Sequence, residues 1–250
     1  MEKLLGADAL QRSFGITGLN IPMIPFTEER VTWEFGLGHH LIYRTDTAGD
    51  GKPLTMDKIV GLLQNTLCDG NLIYPAEWYA RDPFFTQKVP KKGWRFVSGD
   101  IIPASSGKNP FDQTAALVDY LVTKVYAGQE LPAVYQTAVD EYERKVNGLG
   151  QLASSNWKEH IRQCMALQIN QLFRGEPVDV LYDIVVQYRV NNRELYKGKR
   201  VCTAGFSAEG YPVVVPGRTA LAGIILSQTK DHWPCSSDGV CFSHGPIPTA

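Results

Sequence analysis

Through much of the second half of the chain, apolar residues recur three and four positions apart, the spacing that lays one face of an α-helix on a core. Val118, Leu121, Val122 and Val125 keep this period behind Asn109-Pro110. Asn there caps the first turn, proline fits the first helical position, and Asp112 complements the helix N-terminus. A helix is expected to about Tyr126, stopped at Gly128, with that apolar face buried. A second helix, polar over much of its surface, is expected from Pro132 to Val146, ending near Asn147-Gly148. A third starts at a Ser154 or Ser155 cap and carries Trp157, Ile161, Cys164, Gln168 and Leu172 on one stripe before Gly175. Glu176-Pro177 opens a fourth, with Val178, Leu181, Tyr182 and Val185 repeating the pattern to about Tyr188 and Asn191-Asn192 ending it.

Outside this block the texture changes. Before about Asn109 the chain has short apolar runs, such as Val31-Thr32-Trp33-Glu34-Phe35 and Leu41-Ile42-Tyr43-Arg44, rich in β-formers and divided by Gly and Pro. Strands and loops are expected there. From Arg200 onward Gly, Ser, Thr and Val dominate, with turns at Glu209-Gly210, Pro216-Gly217 and Asp238-Gly239. Alternation makes Val213, Val215, Ile225, Val240 and Phe242 the apolar anchors of this tail. No repeat or linker divides the sequence, so residues 1–250 read as a single α+β domain.

Composition narrows the function by exclusion. The 44% hydrophobic and 20% charged residues suit a globular core, while a net charge of −1 and a pI near 6.5 provide no overall basic field. A nucleic-acid partner is therefore not expected. The longest apolar run, Val213 to Leu226, is broken by Pro216, Gly217 and Arg218, so membrane insertion is not expected. Met1 to Gly6 is cut short by Asp8, Gln11 and Arg12 and does not read as a signal peptide, which implies a cytoplasmic or virion-associated protein. Five widely spaced cysteines suit reduced thiols, with a Cys235–Cys241 bridge still compatible with the spacing.

Several segments resemble chemical motifs. Asp46-Thr47-Ala48-Gly49-Asp50-Gly51, with Asp57 twelfth, has the outline of a calcium loop, but Ala48 falls where a ligand is needed, and the segment reads as a turn. Ser105-Ser106-Gly107-Lys108 lacks the first glycine and the final hydroxyl of a phosphate loop. His39 and His40 point to opposite faces of a strand and cannot share one ion; one is expected packed and the other solvated. Cys235 and Cys241, with His232 and His244 nearby, form the densest group of soft ligands, yet the five-residue gap is longer than a zinc knuckle uses. Glu141 and Glu143 read as solvated helix charges, and no Gly-x-Ser-x-Gly element is present. No metal, cofactor or catalytic residue is expected.

One resemblance runs along most of the chain. Gly239-Val240-Cys241-Phe242-Ser243 resembles the closing strand of the hypervariable proteins encoded beside diversity-generating retroelements in small-genome bacteria, archaea and their viruses. Upstream, Asp82-Pro83-Phe84-Phe85-Thr86, Pro90-Lys91-Lys92-Gly93-Trp94, Ile102 to Asn109 with Gln113-Thr114, and Pro177 to Asp183 follow the same order. Ser243 is followed by His244 where the family usually has Arg, and Arg200-Val201-Cys202-Thr203 stands where the family has Tyr-Thr-Trp-Thr.

The resemblance implies a C-type-lectin-like fold, with several helices and small, irregular antiparallel sheets, holding a variable ligand-binding subregion at 200–245. It implies a protein or cell-surface ligand met by Arg200, Cys202, Phe206, Tyr211, Val214, Arg218, Leu221, Asp231 and His232. Adenine-directed mutagenesis does not yield Lys, Glu, Gln or Trp, so Lys230, Glu209, Gln228 and Trp233 are poorer candidates for variation. Two other functions share the fold class: a formylglycine-generating-type enzyme, whose copper-binding cysteine pair Cys235 and Cys241 would imitate, and an invariant viral structural protein.

Overall fold

A computed structural model describes residues 1–63, 77–217, 227–228 and 238–247. They form a mixed α+β structure around two small sheets. The first sheet contains β1 (Leu4–Leu5), β2 (His39–Arg44), β3 (Gly93–Ser98) and β8 (Ser243–His244), in that order. β1 runs parallel to β2, and the other pairs are antiparallel. The second sheet has the order β6-β5-β4-β7, built from β4 (Arg200–Phe206), β5 (Pro212–Pro216), β6 (Ser227–Gln228) and β7 (Asp238–Gly239), with β4 and β7 parallel. The tail thus closes one sheet with β8 and supplies the whole of the other.

The centre of the molecule is α10 (Pro177–Asn191), in which every residue from Pro177 to Gln187 is buried. A helix covered on all sides belongs to the core. Its start and stop follow the sequence: Asp179 accepts a hydrogen bond from the Glu176 amide at 3.1 Å, and Asn192 takes the left-handed conformation at φ 49°. α6 (Pro110–Tyr120) begins as expected, with the Asn109 side chain accepting from the Asp112 amide, and continues as a π turn, Leu121–Val125. Its buried face, however, is Gln113, Thr114, Leu117, Leu121 and Val125, while Val118 is half-buried and Val122 is exposed.

Three other expectations are corrected. Val31 to Phe35 is not a strand but part of α2 (Glu28–Gly36), whose Thr27 cap accepts from the Arg30 amide. A capped N-terminus with two acids in its first turn outweighs the β-propensity of Val, Thr and Trp. The chain before Asn109 also holds α1 (Ala7–Phe14), α3 (Met56–Leu63), α4 (Glu77–Ala80) and α5 (Pro83–Thr86). α7 (Ala133–Ser155) runs through Asn147-Gly148, because Leu149 beyond them is buried in the same cluster as Leu121 and Phe173. The third expected helix is two, α8 (Trp157–Met165) and α9 (Gln168–Phe173), and its cap is Asn156 rather than a serine.

No helix among the described residues is long and apolar enough to cross a membrane. Close packing fixes the exit of β5. An added Cβ on Gly217 would lie 1.9 Å from the Tyr196 carbonyl oxygen, and Tyr196 itself sits at φ 57°. Gly217→Ala is therefore expected to cost at least about 2 kcal/mol in urea unfolding, because backbone on both sides must move. A cost within 0.5 kcal/mol, on the order of a neutral surface change, would contradict that packing.

Candidate functional site

β4 and β5 pair as an antiparallel hairpin, with Arg200 opposite Pro216, Cys202 opposite Val214 and Phe206 opposite Pro212, and an irregularity between Cys202 and Phe206. The connecting turn closes through Ser207 and Tyr211, with Gly210 at φ 79°. Backbone groups of the hairpin are held from outside it: Arg174 donates to the Cys202 carbonyl at 3.1 Å, the Ala204 amide to the Gly175 carbonyl at 2.9 Å, and the Ala208 amide to Asp82 at 2.6 Å.

Both faces of the hairpin are covered. Val201, Val213 and Val215 join the cluster around α10, while Cys202 packs on Ile161 and Met165 of α8. Cys202 and its partner Val214 are fully buried, which corrects their placement on an exposed binding surface. Arg200, Phe206 and Tyr211 are half-buried and reach the surface. The Tyr211 ring lies 6.0 Å from that of Trp157, and the Lys158 ammonium stands 4.2 Å from the Tyr211 ring centre. Trp157 is 42% exposed, which corrects its place on the buried stripe, and with Lys158 it adds an aromatic and a cation to this surface. The signal was Asn156: a cap there makes Trp157 the first residue of α8, at the open end of the stripe that Ile161 and Cys164 continue. Arg218, Leu221, Asp231 and His232, like Ile225 and Cys235, lie outside the described residues.

The end of the tail is held by serine hydroxyls. The Val240 amide donates to Ser105 Oγ at 3.0 Å and the Phe242 amide to Ser98 Oγ at 2.9 Å, while Ile102 and Ser98 amides donate back to the Val240 and Phe242 carbonyls. Ser105, part of the segment resembling a phosphate loop, thus serves as an anchor. Val213, Val215, Val240 and Phe242 are fully buried, as their alternation implied. Cys241 is a buried thiol that burial pushes up to about 11. Its sequence neighbour His244 turns to Glu34 instead.

His39 and His40 do face opposite sides, but both are buried, which corrects the solvated member of the pair. His39 meets Glu34 and Tyr120; His40 Nε2 accepts from Arg193 at 2.6 Å, and burial with that guanidinium lowers its pKa to about 4. The Asp46 to Asp50 segment is a turn whose acids pair with Lys92 and Lys58. Glu141 is half-buried rather than solvated, accepting from the Gln168 amide at 2.7 Å. Among the described residues no group of three or more His, Cys, Asp or Glu is placed to hold a metal.

A cleft of about 1420 Å³ opens between α2 and the last described residues, lined by Phe26, Arg30, Trp33, Tyr126, His244 and Ile247 among others. At its inner edge Glu34 is buried and accepts from both His39 and His244. Burial alone would raise its pKa, but the bonds from His244 and His39 hold it well below the usual carboxylate range. No family model, curated protein or solved structure matches the chain.

Proposed function

We propose that this chain is a ligand-binding protein of the diversity-generating-retroelement type, with a C-type-lectin-like fold and a surface in residues 200–245 that recognises protein or cell-surface targets. The observation that carries this reading is the division of the tail into a fixed backbone and projecting side chains. Residues outside the tail, namely Asp82, Ser98, Ser105 and Arg174, bind its backbone directly. Because these bonds use backbone groups of the tail, they do not depend on the identity of its projecting side chains. Phe206 and Tyr211, beside Trp157 and Lys158, supply the aromatic and cationic contacts common at binding hot spots. Arg200, Arg218, Leu221, Asp231 and His232 complete the proposed surface, while the buried Cys202 and Val214 leave it.

Sequencing the DNA beside the gene tests the reading. A reverse transcriptase gene and a near-copy of the tail's coding sequence are expected, with differences between the copies at codons such as those of Phe206 and Tyr211 and none at Val213, Val215, Val240 or Phe242. Absence of the near-copy, or differences concentrated in the buried positions, overturns it.

Stability tests the division of labour separately. Alanine at Tyr211 is expected to cost under about 1 kcal/mol, as at other surface positions. Alanine at Phe206, half-buried on α8, is expected to cost about 2 kcal/mol, roughly half the loss at a fully buried site. A protein with Phe206, Tyr211, Arg218 and His232 all replaced by alanine should still unfold cooperatively in a thermal melt; loss of the folded transition would make these residues core.

A further inference from the structure

Five side chains from five elements form one continuous hydrogen-bonded chain beside the cleft. Tyr120 meets His39 Nε2 at 2.8 Å, His39 Nδ1 meets one oxygen of Glu34, His244 Nε2 meets the other at 2.9 Å, and His244 Nδ1 meets the Tyr135 hydroxyl at 3.5 Å. Two neutral histidines satisfy this chain completely: each gives its single N–H to the carboxylate and receives a phenolic O–H on its other nitrogen. The charge also balances, because Arg30 pairs with the same carboxylate.

The remaining surroundings offer little to a further cation. Tyr126 is stacked on Arg30, and from β3 the Arg95 guanidinium lies where a Cβ on Gly245 would be. The other neighbours of His244 are the rings of Phe26, Phe96, Phe173 and Phe242. A proton on His244 therefore adds a net charge to a site that is already neutral and almost wholly buried.

We propose that the Glu34–His39–His244 cluster is an acid-released clamp on the C-terminal strand: protonation of His244 detaches β8 from β3 and opens the wall of the cleft formed by residues 244–247. β8 yields first because its ladder with β3 covers two positions, Ser243 and His244, beside the bonds of Phe242 to Ser98, whereas β2 and β3 pair over six positions. Burial holds His244 below the usual imidazole range, and Glu34 is held below the carboxylate range. A group depressed in the folded state stabilises it above its ordinary pKa and loses that contribution as pH falls, so the clamp is closed above about pH 6.5 and weakens below it. His40, on the other face of β2 and lowered to about 4, gives way later.

Hydrogen–deuterium exchange of the intact chain from pH 8 to pH 5, corrected for the intrinsic pH dependence of exchange, tests the clamp. Protection of the segment 238–247 is expected to fall at least tenfold between pH 7 and pH 5 and to return on neutralisation, while the segment 39–44 stays protected. His244→Phe, which keeps a ring among the phenylalanines, is expected to abolish the fall. Tyr135→Phe, which loses the hydroxyl favouring neutral Nδ1, is expected to move it to higher pH. Constant protection in the native chain, simultaneous loss in both segments, or a fall retained in His244→Phe overturns the proposal. Where His244→Phe does not fold, the direction of the Tyr135→Phe shift decides, and no upward shift overturns it.

Discussion

Replacing Arg44 by methionine is expected to destabilise the protein by about 3–5 kcal/mol, the usual result of removing one partner from a buried ionic group. Arg44 on β2 donates to both oxygens of Asp183, lies 3.1 Å from Asp179 and donates to Ser243 Oγ at 3.1 Å. Arg44, Asp179 and Asp183 are all buried. Methionine would leave the two carboxylates without the counter-charge bonded to them, with Arg95 and Lys91 acting only through space. Burial pushes the Asp183 carboxyl up to about 6 against the pull of Arg44, and without that pull it rises further. A carboxyl that binds its proton more tightly in the folded state gains stability as pH falls, so the variant is expected to recover part of its loss between pH 8 and pH 5.5. Urea unfolding at both pH values measures this. A loss under about 1 kcal/mol, typical of exposed pairs, would show the cluster to be accessible to water.

The second large effect is expected at Phe242. Its ring stacks on Phe173 at 5.0 Å and on His39 at 5.6 Å, with Tyr120 edge-on at 5.4 Å and His244 tilted against it at 5.2 Å. Phe242→Ala is expected to cost about 3–5 kcal/mol, from lost burial and from a cavity among rings that cannot collapse. For a chain of this size that lowers the thermal midpoint by at least about 6 °C. Val240→Ala, removing less apolar volume, is expected to cost about 2 kcal/mol. A Phe242 variant melting within about 2 °C of the native protein, the shift expected of less than 1 kcal/mol, would place that side chain outside the core.

The features legible in the sequence were those fixed by local chemistry. Asn109-Pro110 and Glu176-Pro177 are self-contained start signals, and α6 and α10 begin there. Glu209-Gly210 gave the hairpin turn because a left-handed glycine is a local requirement. α2 escaped because the residue it buries fully is Glu34, whose cost is offset by His244, distant in sequence, as well as by His39. An apolar period cannot reveal a buried acid. In the candidate surface, Cys202 and Val214 were misplaced because α8 and α10 cover the two faces of one hairpin, and alternation marks only a strand with one open face. The burial of His40 likewise depends on Arg193, far along the chain.

The seating of β8 also bears on how the chain is made. Arg44 and Ser243 meet across 199 residues, so a ribosome must synthesise nearly all of the intervening protein before that contact forms. In the interval the β3 edge waits with unpaired amides, the kind of edge on which chains stick to one another. A tail substitution that prevents β8 from docking would prolong that interval. Such a variant is exposed for longer to aggregation and proteolysis before the first sheet closes.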